Sequence, residues 1–285
     1  MTDGTPTAGV RGLPRVSRQR WPRAASYRAA FWGLLLRDAH VLRREFGQFV
    51  LRAVMQPFLF VLVFLYVFPR IGAGIHGPGR TSFGTILLPG LVAVAILFQG
   101  IQAVALPLVN EINRTREIED RVMAPLPTNL VAFEKILFGA LQSALAAMIV
   151  FPMVLWFPSS HVRTHINPAL LVAEIVMACL AAAALGLTIG TTWNPRQVPL
   201  IFSVIVLPIT FLGCIYYPWA ALSTIRWLQI VTLANPLVYI SEGLRAALTP
   251  SLQHMPWPAS LSVLTGFFLA LTMLGMRGFR KRVLD

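Results

Sequence analysis

The sequence predicts an all-α polytopic membrane protein with six transmembrane helices, an N-terminal amphipathic interface helix, and re-entrant outer helices between spans five and six. Two observations support this fold class. The 285-residue chain is 56% hydrophobic and only 12% charged, whereas soluble domains carry about 25% charged residues. Uncharged stretches at 81–110 and 136–161 are each longer than the roughly 20 residues that cross a bilayer core.

The distribution of positive charge predicts the orientation. An even number of spans places both termini on one side, and that side receives 19 of the 24 Lys and Arg residues. Cytoplasmic loops are the ones enriched in Lys and Arg, so both termini are predicted to be cytoplasmic. The net charge of +13 is therefore explained by membrane orientation, and nucleic acid is not an expected partner.

Composition divides the chain into four predicted parts. Residues 1–26 are a basic cytoplasmic tail that is predicted to be disordered, because they lack apolar periodicity. Residues 27–49 alternate apolar and basic residues at helical spacing, which indicates a helix in the membrane interface or, alternatively, one packed on a soluble core. Residues 50–276 form the transmembrane domain, and 277–285 form a basic cytoplasmic tail. The side chains that mark the interfacial helix are Trp32, Arg37, Arg44 and Phe46.

Six apolar segments are predicted to cross the membrane, at about 53–68, 86–109, 133–157, 169–192, 198–214 and 259–276. The segment 215–258 contains only short apolar pieces, which are broken by Asn235-Pro236. Short half-helices that enter one leaflet fit this pattern, since irregular backbone is tolerated at depth where protein covers it.

A charge-dense segment, 110–129, lies between spans two and three and contains four of the eleven acidic residues. If 115–124 is helical, Ile118 and Val122 form an apolar pair at i, i+4 spacing. Pro125 and Pro127 then end the helix. Such a cytoplasmic helix suits a groove on a soluble partner. The alternative is a helix solvated among lipid headgroups.

The sequence contains no catalytic or metal-binding motif, and no cofactor is expected on this chain. Apart from Glu134 at the start of span three, Glu174 is the one carboxylate within a predicted span; it is either a proton or cation site, or a group that reaches the outer interface or pairs with Arg163. Cys179 and Cys214 are predicted to be small apolar fillers. The five histidines do not form a transmembrane cluster: His40, His76, His161, His165 and His254.

Amide side chains within the spans avoid lipid, so they face either a translocation route or a neighbouring helix. Both alternatives fit Gln99 and Gln102, which share one face of span two. The predicted pathway lining is Gln56, Phe98, Gln99, Gln102, Phe202 and Phe211.

Four groups of residues, in the order in which they occur along the chain, resemble those of a known family. They are Leu88-Pro89-Gly90-Leu91, the run from Arg116 to Pro127, Leu207 to Gly213 with Tyr216-Tyr217-Pro218, and Asn235-Pro236 with Tyr239, Gly243 and Arg245. Over about residues 30–282 the chain resembles the membrane permeases of the type-2 ABC exporters, which include daunorubicin-resistance-type and nodulation lipooligosaccharide permeases.

The resemblance implies an exporter subunit of the bacterial inner membrane, without enzymatic activity. It implies a homodimer, or a dimer with a paralogous permease, docked on two copies of a cytoplasmic ABC ATPase that binds ATP and Mg. The implied cargo is amphipathic: a lipid, a glycolipid or a hydrophobic drug. Membrane lipids are further partners. The implied ATPase-coupling residues are Arg116, Glu117, Ile118, Glu119, Asp120, Arg121, Val122, Met123, Trp193, Asn194 and Arg196. The implied outer gate is Tyr216, Tyr217, Asn235, Tyr239 and Arg245.

Two other functions are compatible with the residues alone. One is an ATP-independent secondary transporter or membrane-embedded enzyme that uses Glu174 and the loop histidines. The other is a structural scaffold without transport.

Overall fold

The computed structural model describes residues 23–67, 70–71, 83–111, 127–156, 165–193, 197, 204 and 206–284. Within these residues the secondary structure is helical, and no strand occurs among them. Nine α-helices are described: α1 Arg23–Arg44, α2 Phe46–Phe60, α3 Phe83–Asn110, α4 Thr128–Trp156, α5 Pro168–Thr192, α6 Leu207–Phe211, α7 Arg226–Thr232, α8 Pro236–Leu248 and α9 Trp257–Leu284. A π-helical stretch, Val61–Val67, continues α2, and a 3-10 helix, Trp219–Thr224, precedes α7.

Five of the described helical segments are long and apolar enough to cross a membrane. Their lengths are between 19 and 29 residues, against the roughly 20 that a bilayer core requires. They coincide with predicted spans one, two, three, four and six: Phe46–Phe64, Gly84–Asn110, Thr128–Trp156, Pro168–Thr192 and Trp257–Arg282. Most of predicted span five lies outside the described residues.

The predicted interfacial segment 27–49 is divided between two helices. α1 ends at Arg44, and α2 begins at Phe46, with Glu45 between them at φ −102° and ψ 17°. Phe46 therefore belongs to the first crossing helix, although the sequence pattern assigned it to the interfacial helix. Trp32, Arg37 and Arg44 lie on α1 and are exposed.

Two helices each begin at an Asn-Pro pair. The side-chain oxygen of Asn167 accepts a hydrogen bond from the backbone N–H of Leu170, and Pro168 occupies the first turn of α5. The side-chain oxygen of Asn235 likewise accepts a bond from Leu237 N–H at 2.9 Å, at the start of α8. The amide side chain accepts a hydrogen bond from a backbone N–H that has no partner within the helix. Proline at the first helical position loses no hydrogen bond, because a backbone N–H there would have no partner within the helix. The predicted break at Asn235-Pro236 is thus a helix start.

The core of the bundle is the contact between α3 and α5. A Cβ atom added to Gly100 of α3 would lie 2.6 Å from the Cβ of Ala182, and one added to Gly186 of α5 would lie 2.9 Å from the carbonyl oxygen of Gly100. Small residues allow two membrane helices to approach until their backbones touch. Helices α4, α8 and α9 pack around this pair.

The crossing helices define two ends of the bundle. At one end, which we call the α1 end, Lys135 of α4 contacts Asp38 of α1. The Arg282 guanidinium of α9 donates there to the carbonyl of Trp193, just after α5. At the opposite end, the α8 end, the backbone N–H of His165 donates to the carbonyl of Leu248 at 3.0 Å.

Candidate functional site

A cavity of about 590 Å³ opens at the α1 end, between helices α1, α2, α3 and α4. Among the described residues, its charged lining consists of three cations and three carboxylates. These are Arg37, Arg52 and Lys135, and Asp38, Glu45 and Glu111. Five amide side chains also line it: Gln48, Gln99, Gln102, Asn110 and Gln142. Apolar surface comes from residues such as Phe49 and Leu106. Cavities of this size with a few convergent polar groups are typical of small-molecule sites.

One wall of the cavity is an ion cluster that joins three helices. The Nζ atom of Lys135 lies 3.1 Å from Oδ2 of Asp38 and 2.9 Å from Oε1 of Glu111. The exposed fractions of the three side chains are only 7%, 11% and 13%. Two carboxylates thus contact one ammonium. It ties α1 to the end of α3 and to the start of α4.

The sequence did not identify this cluster. It used Lys135 only as a positive charge that indicates orientation, while Asp38 and Glu111 are 97 and 24 residues away from it. A usable signal existed, because a lysine at the start of an apolar helix requires a partner when it is buried. The identity of that partner could be known only from the fold.

Two of the predicted pathway residues lie in this cavity. Gln99 Nε2 donates to Oε1 of Gln142 at 3.3 Å, and Gln102 lines the same space. Gln99 therefore bonds a neighbouring helix, as one of the two alternatives expects, and it also faces the cavity; that the cavity is a translocation route stays a prediction. Phe98 borders an adjoining recess beside Arg52.

The remaining predicted lining residues lie elsewhere. Phe211 lies on α6 and is exposed. Two residues earlier, the carbonyl of Ile209 accepts a hydrogen bond from the side chain of Asn235, which places this part of α6 at the α8 end. The side chain of Gln56 and all of Phe202 are outside the described residues.

The α8 end holds a fully buried ion pair. Glu242 and Arg245 lie one turn apart on α8, both without exposed surface, and the Arg245 guanidinium donates to the Glu242 carboxylate. Arg245 Nη2 also donates to the carbonyl of Cys214 at 3.0 Å. The two Glu242 oxygens accept from the backbone N–H groups of Trp219 and Met255, at 2.9 and 2.8 Å. The pair thereby fixes three irregular segments around α8.

The predicted outer-gate residues are brought together at this end. Tyr216 packs against the rings of Phe60 and Phe64, with centroid distances of 6.2 and 5.6 Å. Asn235 Nδ2 donates to the carbonyl of Ile209 at 2.7 Å. Tyr239 donates its hydroxyl to the carbonyl of Leu233 at 2.9 Å.

Tyr217 is partly buried in a small cluster beside Cys214 and Leu222. Arg245 belongs to the buried ion pair. Whether these residues act as a gate stays a prediction.

Glu174 lies inside the bundle, and the expectation that it reaches the outer interface is wrong. The residue has no exposed surface. Ser260 of α9 donates to its Oε1 at 3.0 Å, and a Cβ added to Gly243 of α8 would lie 2.4 Å from its Oε2. The physical reason is that α8 and α9 cover this face of α5. Its proposed alternative partner, Arg163, is outside the described residues.

The other candidate groups are dispersed. His40 lies on α1, whereas His165 and His254 lie near the α8 end; His76 and His161 are outside the described residues. In the described part of the chain no three His, Cys, Asp or Glu side chains are placed to hold a metal. Cys179 and Cys214 are free and buried, in agreement with their predicted role as apolar fillers.

Most of the predicted ATPase-coupling residues cannot be located. Trp193 is partly buried and packs against the core. The rest lie outside the described residues: Arg116, Glu117, Ile118, Glu119, Asp120, Arg121, Val122, Met123, Asn194 and Arg196. Their predicted role remains untested, but the ion cluster includes Glu111, which belongs to the charge-dense segment 110–129.

Comparison with known proteins decides the family. Residues 29–249, which are most of the chain, match the ABC-2 type transporter family. The chain belongs to the ABC-2 type transporter family. The resemblance to type-2 ABC permeases is thereby confirmed, and the chain is a transport permease subunit.

Curated relatives agree with this membership of the ABC-2 type transporter family. The chain is 24% identical over 250 residues to the Inner membrane transport permease YadH of Escherichia coli (strain K12). The match covers 87% of this chain and 93% of that protein. The protein of the same description from Shigella flexneri is similar to the same extent. This ABC-2 chain therefore spans nearly the whole length of its curated relatives.

Proposed function

We propose that this chain is the permease subunit of an ATP-driven exporter that moves an amphipathic molecule out of the cytoplasm or inner leaflet. Membership of the ABC-2 family, which works with an ATPase subunit, is the observation that carries the proposal. The energy comes from a separate cytoplasmic ABC ATPase, present in two copies, and a second copy of this chain completes the permease. Outward transport follows the resemblance to type-2 exporters.

The α1 end faces the cytoplasm of a bacterial inner membrane in this proposal. Arg28, Arg37, Arg43, Arg44 and Lys135 lie there, together with the basic end of α9. At the α8 end the described Arg and Lys residues are Arg70, Arg226 and Arg245. This asymmetry supports a cytoplasmic α1 end, and the name of the YadH relatives supports the inner membrane.

A sixth crossing completes the proposed topology. The chain leaves α5 at the α1 end, where the Trp193 carbonyl accepts from Arg282. By Gly213 the chain has reached the α8 end, because Ser241 Oγ of α8 donates to the Gly213 carbonyl at 2.7 Å. The intervening residues therefore connect opposite ends of the bundle. Helices α7 and α8 have 7 and 13 residues, too few to cross, which supports the re-entrant outer helices.

Coupling between the ATPase and the permease runs through residues 116–124 in this proposal. Glu111 precedes these residues in the chain, and Lys135 follows them near the start of α4. A displacement of the coupling residues reaches α1 through the Lys135–Asp38 ion pair, 3.1 Å long. The partner thus contacts a part of the chain whose flanking residues, Glu111 and Lys135, are joined to each other and to α1.

The test uses the permease purified together with its ABC ATPase and reconstituted into lipid vesicles. Reversing the charges of Glu117, Glu119 and Asp120 should abolish permease-dependent ATP hydrolysis while the complex remains folded. The matched control reverses Arg277 and Arg280, which are exposed near the end of α9. Unchanged hydrolysis in the first variant would refute the coupling role of residues 116–124.

An ATP-independent transporter is the second candidate. It is favoured by Glu174, a fully buried carboxylate in a crossing helix, whose Oε2 has no hydrogen-bond partner among the described residues. Buried carboxylates in membranes often serve proton relays. Glu174→Gln should leave ATP-dependent transport intact if the exporter proposal is correct. Loss of transport together with loss of a proton-gradient dependence would favour the second candidate.

A further inference from the structure

Helices α5 and α9 are joined by a row of close contacts near the α1 end. Thr188 Oγ1 on α5 donates a hydrogen bond to the carbonyl of Leu271 on α9 at 2.9 Å. About two turns further along α9, a Cβ atom added to Gly278 would lie 2.7 Å from Oγ1 of Thr191. Small residues and hydrogen bonds from Ser and Thr side chains hold membrane helices together. The last turns of α5 and α9 are therefore packed side by side.

Arg282 extends these contacts to the end of α5. It follows Gly278 by one helical turn and is partly buried. Its guanidinium donates to the carbonyl of Trp193, the residue that caps α5. The last carbonyls of a helix have no partner within it and form the negative end of its dipole, so a cation that bonds one of them is stabilised there. Because the Trp193 side chain also packs against the core, both its main chain and its side chain are held.

The neighbouring cations of α9 are placed differently. Arg277, Arg280 and Lys281 are exposed, as is typical of basic residues that meet water or lipid headgroups. Arg282 has instead given up part of its hydration to reach a backbone carbonyl, which is favourable only while that hydrogen bond is made. Its location, and not its charge alone, therefore distinguishes Arg282 from the other basic residues at the end of α9.

Trp193 is the residue at which the chain leaves α5 for the next crossing. In the proposed six-span topology the cytoplasmic side has two connections between crossings. One contains the coupling residues 116–124, and the other is predicted at 193–197. A soluble ATPase can contact the permease only where the membrane leaves it uncovered, so the second connection is available to the same partner as the first. The restrained carbonyl of Trp193 determines where that second connection begins.

We propose that Arg282 is a positioning residue for coupling to the ATPase: by bonding the Trp193 carbonyl, it fixes where the connection after α5 meets that partner. The last turn of α9 thus contributes to coupling through α5, without having to touch the ATPase itself. Loss of the bond leaves the crossing helices in place, because the contacts at Thr188 and Gly278 remain, but it releases the start of the connection. The inference rests on the proposed function for the identity of the partner.

The restraint is measured first on the full-length permease alone, in detergent, by hydrogen exchange of peptides that include Thr191 to Trp193. Arg282→Met removes the donor while keeping an apolar stem, and exchange there should become about tenfold faster, as expected for the loss of one hydrogen bond from a charged group. The matched control is Arg280→Met, an exposed arginine near the end of the same helix, which should exchange as the unmodified chain does. Unchanged exchange in Arg282→Met would overturn the proposal.

Coupling is then measured on the complex with the ABC ATPase in lipid vesicles, as hydrolysis per folded complex. Permease-dependent hydrolysis should fall about fivefold or more in Arg282→Met, while the ATPase still copurifies; Arg282→Lys, which keeps a charged donor, should recover most of it, and Arg280→Met should lose none. A purely structural role would lower the yield of folded complex and leave hydrolysis per complex unchanged, and that result would overturn the proposal. No permease-dependent hydrolysis in the unmodified chain would instead overturn the exporter proposal, and the coupling role of Arg282 with it.

Discussion

The two ends of the bundle both contain ion pairs, but water reaches only one of them. At the α1 end Lys135 and its two carboxylates form the wall of a cavity of about 590 Å³. At the α8 end Glu242 and Arg245 have no exposed surface, and backbone groups bond both carboxylate oxygens and one guanidinium nitrogen. A buried pair bonded to the backbone holds one geometry, because either charge alone would be costly to bury.

This difference assigns different tasks to the two ends. The α8 end is built to keep short helices and loops in a fixed arrangement. In the proposed function the α1 end responds to the ATPase through the coupling residues 116–124. Three substitutions test the contrast, and they are ordered by the size of the effect expected.

The largest effect is expected from Arg245→Ala. The substitution leaves the Glu242 carboxylate buried without its cation, which should destabilise the protein by about 3–5 kcal/mol. Thermal unfolding of the purified permease, followed by tryptophan fluorescence, measures the loss. Arg226→Ala is the control, since Arg226 is exposed on α7, and it should change stability by less than about 0.5 kcal/mol. Equal midpoints for the two variants would contradict a structural role for the pair.

Gly243→Ala should have the next largest effect. The new Cβ would lie 2.4 Å from the Glu174 carboxylate, and such overpacking costs about 1–3 kcal/mol. Adding Glu174→Ala removes the opposing atoms, so the double variant should be less destabilised than the sum of the single ones. Gly266→Ala is a matched control on α9, because no atom lies within 4 Å of its added Cβ. Strict additivity would show that the close approach does not matter.

Lys135→Met should reduce stability about as much as Gly243→Ala does, and less than Arg245→Ala does. It removes two charge-assisted hydrogen bonds but leaves two carboxylates that line an open cavity, so the loss should be about 2 kcal/mol. Permease-dependent ATP hydrolysis should fall more than stability does, if the cluster transmits motion from residues 116–124. Neutralising both partners, with Asp38→Asn and Glu111→Gln, should restore stability without restoring hydrolysis. A stability loss as large as that of Arg245→Ala would remove the proposed contrast between the ends.

The features of the fold that depend on local composition could be predicted from the sequence. Hydropathy located five crossing helices, and the Asn235-Pro236 pair marked a helix boundary, because both signals come from neighbouring residues. It did not predict the partners of Lys135 or the burial of Glu174, since both depend on which helices become neighbours in space. The assignment of Phe46 to the interfacial helix failed for a related reason. Its apolar spacing continues unbroken through Glu45, where the backbone ends one helix and begins another.

The backbone contact between α3 and α5 has a mechanical consequence. With Gly100 and Gly186 in contact, neither helix can rotate against the other without a steric collision. The two are therefore expected to tilt together as one lever, about 40 Å long by the rise of α3. A small angular displacement imposed at Asn110 would then move Asn167 and the cap of α5 on the opposite face of the membrane, with no need for a relay of side chains in between.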